Sequence, residues 1–117
     1  MRRVIGKLLE AQGQPTKLAE DAAAAFSETT KSCILSLYRS AIHVGREWVD
    51  DLARITAPGL IIWGDKDPFA TADFGRRLAT RTRADFVEIV DCGHWYQAQR
   101  PAETAKHVSD FWAQVAR

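Results

Sequence analysis

Two residues in the second half of the chain could share one chemical task. Asp67 and His94 each follow a short apolar run, at residues 59–63 and 86–90, with turn-forming residues close by. A carboxylate beside an imidazole keeps one ring nitrogen protonated and leaves the other free as a general base. We therefore take Asp67 and His94 as candidate catalytic residues.

The apolar runs predict the strands that would bring these residues together. The run at 59–63 follows Pro58 and is continuous, which is typical of a strand buried on both faces. About twenty residues separate it from the run at 86–90, and a crossover of that length makes two strands parallel and right-handed in connection. Parallel strands share one carboxyl edge, with neighbours about 5 Å apart. We expect Asp67 and His94 to meet there.

Helices are predicted for the rest of the chain. A helix over 71–81 should turn Phe74 and Leu78 inward, and Pro101 should open a final helix. The first half shows helical spacing throughout. Ser27 is a plausible N-cap for a helix whose apolar stripe runs over residues 33–42, and Gly45 is expected to end it.

Other interpretations of the same residues stay open. Asp67 precedes a proline and could be a turn residue, and His94 could be an ordinary polar loop residue. Asp65 is the rival acid, although its place directly after Gly64 favours a role in the turn. Cys92 stands two residues before His94, an awkward position for a nucleophile, so we interpret it as a small buried residue.

The composition excludes several classes of protein. Lys and Arg total 16 and Asp and Glu total 15, which does not suit a nucleic-acid or polybasic membrane protein. No apolar run approaches the roughly 18 residues of a membrane span, and the start has no signal-peptide pattern. The two cysteines have no metal-ligand spacing. We expect a cytoplasmic protein without a metal or organic cofactor.

These motifs, taken in order, resemble the C-terminal part of the α/β-hydrolase superfamily from about Trp48 onward. Residues 59–67 are similar to a core strand with its Gly-x-x-Asp turn, whose acid is Asp67 here. Residues 91–95 are similar to the catalytic Gly-His loop, and residues 100–103 to the opening of the last helix. The resemblance implies that Asp67 and His94 are the acid and base of a catalytic triad.

The subfamily that the motifs resemble most is that of epoxide hydrolases, with haloalkane-type dehalogenases next. Those enzymes use an aspartate nucleophile and a histidine-activated water. The resemblance assigns Tyr38 to protonation of an epoxide oxygen, although its spacing favours the alternative that Tyr38 belongs to the packing stripe of its helix. Trp95 and Tyr96 are candidates for lining the substrate pocket, or alternatively for packing under the last helix.

The nucleophile turn of that superfamily, Gly-x-Ser/Asp/Cys-x-Gly, has no counterpart in the sequence. We therefore expect an α/β fold that is a C-terminal fragment of the α/β-hydrolase fold: two parallel strands with flanking helices at residues 48–117, preceded by cap or lid helices at residues 1–47. Such a small parallel sheet should need a partner. The partner would be an N-terminal hydrolase segment or a second copy.

Two functions remain open at this point. The first is the acid-and-base portion of a hydrolase acting on a small-molecule substrate, with the nucleophile supplied by another segment. The second is a catalytically inactive truncated product or interaction module that retains the fold signature. A free-standing response-regulator-like domain is weaker, because residues 1–20 offer neither an acidic cluster nor an early strand.

Overall fold

The computed structural model describes residues 2–116. Five α-helices precede the first strand, and the two strands then alternate with the remaining helices. In order, the elements are α1 (Arg2–Ala11), α2 (Thr16–Ala25), α3 (Glu28–Ser40), a 3-10 turn (Ala41–His43), α4 (Val44–Glu47), α5 (Val49–Leu52), β1 (Leu60–Gly64), α6 (Ala72–Thr82), β2 (Asp85–Ile89), α7 (Tyr96–Gln99) and α8 (Pro101–Val115).

The two strands form a parallel pair, as the sequence predicts. Leu60 lies opposite Asp85 and Gly64 lies opposite Ile89, so both strands end at the same edge. The predicted helix between them and the final helix opened by Pro101 are also present. The pairing confirms that the chain carries a strand–helix–strand–helix unit.

Helix α6 lies against the sheet through its small residues. A Cβ atom at Gly75 would stand 2.8 Å from ring atoms of both Trp63 and Phe86, so only glycine permits this approach. The prediction that Phe74 points inward is wrong, because its side chain is 56% exposed. The face centred on Gly75 and Ala79 is the buried one, which places Phe74 at its margin.

The first half is helical, as predicted, but it differs in detail. Helices α1 and α2 pack as a hairpin through Gly6, Ala19 and Ala23. Ser27 caps α3 with a reciprocal capping box, which confirms the predicted N-cap. The helix ends at Ser40 rather than at Gly45. The Ser40 hydroxyl donates to a carbonyl of the preceding turn, a bond that competes with helix continuation.

Little of the apolar surface is enclosed. Among the described residues, five hydrophobic ones are buried: Ala19, Ala23, Ala79, Ile89 and Cys92. The predicted stripe of α3 is exposed, with Leu37 at 65% and Tyr38 at 74%. The radius of gyration is 16.6 Å, whereas a compact domain of this length has about 13 Å. These segments therefore leave much apolar surface that a larger core could cover.

Across residues 2–116, the structure has no helix that combines the length and apolar character needed to span a bilayer. The division into cap and core at residues 47 and 48 stays a prediction.

Candidate functional site

Asp67 and His94 meet at the carboxyl edge of the sheet. The carboxylate Oδ2 of Asp67 lies 2.9 Å from Nδ1 of His94. The other carboxylate oxygen, Oδ1, accepts hydrogen bonds from the backbone N–H groups of Phe69 at 2.8 Å and Ala70 at 3.2 Å. The Asp67 side chain is thus fixed by its own turn before it reaches the imidazole.

The turn after β1 and the loop after β2 touch each other along their backbones. A Cβ atom on Gly64 would lie 2.3 Å from the carbonyl oxygen of Gly93, so this approach requires glycine at position 64. The Lys66 N–H donates to the Cys92 carbonyl at 2.8 Å. These contacts hold the loop that carries His94 against the end of the neighbouring strand.

Asp65 strengthens the same contact and does not approach the histidine pair. Its Oδ1 accepts the N–H of Cys92 at 3.0 Å. Partial burial raises the pKa of Asp65, but bonds from the backbone of Cys92 and Asp91 and the nearby Lys66 outweigh it, so the pKa lies below its usual value. Asp65 lies in the turn after β1, as predicted, and its carboxylate accepts a hydrogen bond from the loop after β2.

The two members of the pair differ in exposure. The Asp67 side chain is 7% exposed, whereas that of His94 is 46% exposed. Burial raises the pKa of Asp67. The hydrogen bond with His94 and the two backbone amides of the turn lower it by more, so the pKa of Asp67 lies below its usual value. Asp67 is therefore ionised at neutral pH and accepts a hydrogen bond from the N–H at Nδ1 of His94.

With Nδ1 occupied in this way, the neutral ring carries its lone pair on Nε2. The rings of Phe69 and Trp95 stand edge-on to the imidazole, with centroids at 4.9 Å and 5.2 Å, and limit how it can tilt. The arrangement can therefore take a proton at Nε2 and stabilise the resulting imidazolium through Asp67.

A cavity of about 280 Å³ opens beside the pair. It is lined by Ile62, Trp63, Asp67, Ala70, His94, Trp95, Tyr96 and Gln97. The structure thus places Trp95 and Tyr96 with His94, as the sequence suggests. The described residues lining it do not include Tyr38, which lies on the exposed helix α3.

Two further side chains at the cavity or beside it stay uncharged at neutral pH. Burial raises the pKa of Tyr96, so its phenol keeps its proton and can donate a hydrogen bond. Burial also raises the pKa of the Cys92 thiol, whose residue is 1% exposed. Cys92 is a small buried residue, as predicted. Only the thiolate is a good nucleophile, and burial keeps this thiol protonated.

A second cleft, of about 230 Å³, lies at the opposite end of β1. Its lining is almost wholly apolar and includes Leu52, Pro58, Leu60 and Leu78, and no titratable side chain of the described residues belongs to it. Of these two cavities, only the one beside His94 has side chains that can transfer a proton.

The sequence reasoning missed Gln99. Its side-chain Oε1 accepts the N–H of Gly93 at 2.9 Å, and its Nε2 donates to the carbonyl of Gly13 at 2.8 Å. Gly13 is 86 positions away along the chain, so no local pattern signals this bridge.

Comparison with known proteins identifies the family. A model of the alpha/beta hydrolase family matches residues 5–107. The chain belongs to the alpha/beta hydrolase family. The match includes most of α1, all of α2–α5 and both strands, and it confirms the predicted superfamily. No solved structure matches the chain.

Individual relatives share the region at lower coverage. A 2-hydroxy-6-oxononadienedioate/2-hydroxy-6-oxononatrienedioate hydrolase from Paraburkholderia xenovorans is 40% identical over 63 residues, which are 53% of this chain and 22% of that protein. Its counterpart from Klebsiella pneumoniae is 38% identical over 65 residues, 55% of this chain and 23% of that protein. A monoacylglycerol lipase from Xenopus laevis is 36% identical over 63 residues, 53% and 19%. The chain spans about a fifth of the length of these relatives.

Proposed function

We propose that this chain supplies the acid and base of a hydrolase site, with His94 as general base and Asp67 as the residue that orients it. The observation that carries the proposal is the 2.9 Å contact between Asp67 Oδ2 and His94 Nδ1 at the edge of the cavity. Membership of the alpha/beta hydrolase family supports it, and so do the names of the relatives, which are hydrolases and a lipase.

The nucleophile in this proposal comes from a segment outside the 117 residues, since no two glycines of the sequence flank a Ser, Asp or Cys in the required turn. His94 Nε2 would remove the proton of a serine nucleophile, or of the water that hydrolyses an aspartyl ester. Asp67 would remain ionised and stabilise the imidazolium in either case. The same pair serves both chemistries.

For the substrate we favour a small organic molecule with a carbonyl group. The relatives named above are hydrolases of an oxo-dienedioate and of monoacylglycerol, and both substrates contain carbonyl carbons that a nucleophile can attack. Tyr96, protonated and at the cavity, could donate a hydrogen bond to such a substrate, with Trp95 forming an apolar wall.

Epoxide or haloalkane hydrolysis is the second candidate. The Cys-Gly-His-Trp loop at residues 92–95 favours it, because this loop is similar to that of epoxide hydrolases. It assigns the epoxide oxygen to Tyr38, which is 74% exposed and outside the cavity lining described above, so the helix carrying it would have to move. Sequencing the DNA upstream of the Met1 codon would discriminate: an encoded Gly-x-Ser-x-Gly turn supports the carbonyl substrate, and Gly-x-Asp-x-Gly supports the epoxide or haloalkane.

The experiment that tests the catalytic proposal uses a hybrid enzyme. Residues 58–117 of this chain replace the corresponding C-terminal segment of the Paraburkholderia relative, and hydrolysis of the oxo-dienedioate in that relative's name is measured. We expect the hybrid to turn over, and His94→Ala to lower kcat by about 10³-fold or more. His107→Gln, on α8 and outside the cavity lining, is the matched control and should leave kcat within a few-fold.

The hybrid also separates catalysis from the non-catalytic alternative. An interaction module that kept only the fold signature is favoured by the missing nucleophile turn and by the exposed apolar side chains. A folded hybrid that is inactive with His94 intact, or equally active without it, would support that alternative and contradict the assignment of His94.

A further inference from the structure

The side chain of Gln99 joins the loop that carries His94 to the turn between α1 and α2. On one side it accepts the N–H of Gly93, the residue directly before His94, at 2.9 Å. On the other it donates to the Gly13 carbonyl, in the turn between α1 and α2, at 2.8 Å. The bond from Gly93 is partly buried, whereas the bond to Gly13 is exposed to water.

The chemistry of this bridge requires an amide side chain. The loop presents a donor, the Gly93 N–H, and the turn presents an acceptor, the Gly13 carbonyl. Glutamine and asparagine carry a donor and an acceptor on one planar group, whereas glutamate offers acceptors alone. The two partners also fix which amide atom is oxygen, because the reverse orientation would set donor against donor and acceptor against acceptor.

The turn at Gly13 is shaped to receive that amide. Gly13 has a φ of +89°, which side-chain-bearing residues rarely adopt. A Cβ atom at this position would stand 2.6 Å from Nε2 of Gln99. The backbone conformation therefore favours glycine here, and any larger residue would displace the Gln99 amide.

We propose that Gln99 is a positioning residue that holds the loop of His94 in register and makes it depend on the α1–α2 hairpin. The proposal rests on the proposed function of His94 as general base. Gln99 fixes the Gly93 amide, and the peptide that follows sets where the imidazole ring starts. The hairpin, which lies outside the strand–helix–strand–helix unit, thereby contributes to aligning Nδ1 with Asp67.

The test uses the whole chain labelled with nitrogen-15. Amide exchange of Gly93 reports the bond to Gln99, and the amide of Asp65, which donates to the Ile89 carbonyl at 3.1 Å, reports whether the sheet is intact. The ring-nitrogen shifts of His94 in alkaline buffer report which nitrogen carries the proton. Gln114→Met, an exposed glutamine on α8, is the matched control.

We expect Gln99→Met, which keeps the volume and loses both bonds, to speed Gly93 exchange about fivefold, the usual value of one hydrogen bond. The Asp65 amide should be unchanged, and His94 should shift from one tautomer toward a mixture. Gln114→Met should change none of these signals. Unchanged Gly93 exchange and an unchanged tautomer in Gln99→Met would overturn the proposal.

Gln99→Glu keeps the proposal testable if the methionine variant loses its fold. A glutamate still accepts the Gly93 N–H but sets an oxygen against the Gly13 carbonyl. Gly93 protection should therefore persist, while the amide of Gln14, which donates to Leu9 in the hairpin turn, exchanges faster. Loss of Gly93 protection in this variant, with the Asp65 amide intact, would contradict the assigned bond.

These measurements do not depend on turnover. A hybrid enzyme indifferent to His94 would remove the catalytic role and leave the exchange results standing. Unchanged Gly93 exchange would remove the role of Gln99 even in a hybrid that needs His94.

Discussion

Replacing Asp67 by asparagine should separate the contribution of this side chain to stability from its contribution to catalysis. Asparagine keeps an oxygen that can accept the amides of Phe69 and Ala70, so the turn survives. Its NH₂ group replaces the oxygen that faces His94 Nδ1 at 2.9 Å. Because that group donates, the neutral imidazole must move its proton to Nε2, and the base is lost.

The magnitudes follow from counting those contacts. Asp67→Asn preserves the two bonds of the turn and replaces the charged bond to His94 by a neutral one, so it should lower the free energy of unfolding of the chain by about 1 kcal/mol. Asp67→Ala removes all three from a side chain that is 7% exposed and should cost about 3 kcal/mol. In the hybrid enzyme, Asp67→Asn should lower kcat by about 10³- to 10⁴-fold, which corresponds to about 4 to 5.5 kcal/mol.

Urea denaturation of the chain and steady-state kinetics of the hybrid give the two numbers. The distinguishing result is a small loss of stability together with a large loss of kcat in the asparagine variant. An Asp67→Asn hybrid whose kcat stays within tenfold of the unmodified hybrid would refute the role of Asp67 in setting the tautomer of His94. Damage from Asp65→Asn with a harmless Asp67→Asn would show that the wrong acid was assigned.

Three further results are expected. Gly64→Ala should disorder the loop after β2, because the alanine Cβ would lie 2.3 Å from the Gly93 carbonyl oxygen. NMR contacts between the turn after β1 and this loop should then be lost. An unchanged spectrum would contradict the close packing of Gly64 against Gly93. Cys33 is exposed and Cys92 buried, so Ellman's reagent should modify one thiol quickly and the second only in denaturant, whereas two fast thiols would mean that the chain alone does not form this loop. Burial raises the pKa of Asp67, but the hydrogen bonds to its carboxylate bring that pKa below 3.8 in the folded chain. The stabilisation from the ionised carboxylate is therefore complete above pH 3.8 and is lost as the pH falls through the lower folded pKa. Asp67→Asn should lose less stability in acid than the unmodified chain, and identical stability curves against pH would contradict the lowered pKa.

The sequence carried enough information for the sheet edge. Each strand is a local apolar run, and the length of the connection dictates parallel pairing, so the neighbourhood of Asp67 and His94 follows from topology alone. Packing detail was harder to predict. Phe74 looks like a core residue by its type, but the space above the sheet admits the face with Gly75.

Contacts between distant segments were beyond the sequence. The bridge from Gln99 to Gly13 depends on where the α1–α2 hairpin lies, and glutamine carries no periodic signal. The stripe of α3 looked like a packing face because its spacing is helical and apolar. That pattern cannot show what covers the stripe, and Leu37 and Tyr38 are exposed in the structure.

The most direct measurement of the central claim is the protonation state of the His94 ring in the intact chain, by nitrogen-15 NMR in alkaline buffer. We expect the proton on Nδ1, hydrogen-bonded to Asp67, and an unprotonated Nε2 with the chemical shift of a nitrogen that carries a free lone pair. A ring protonated mainly on Nε2, or an equal mixture that Asp67→Asn does not change, would contradict the claim that Asp67 prepares His94 as a base.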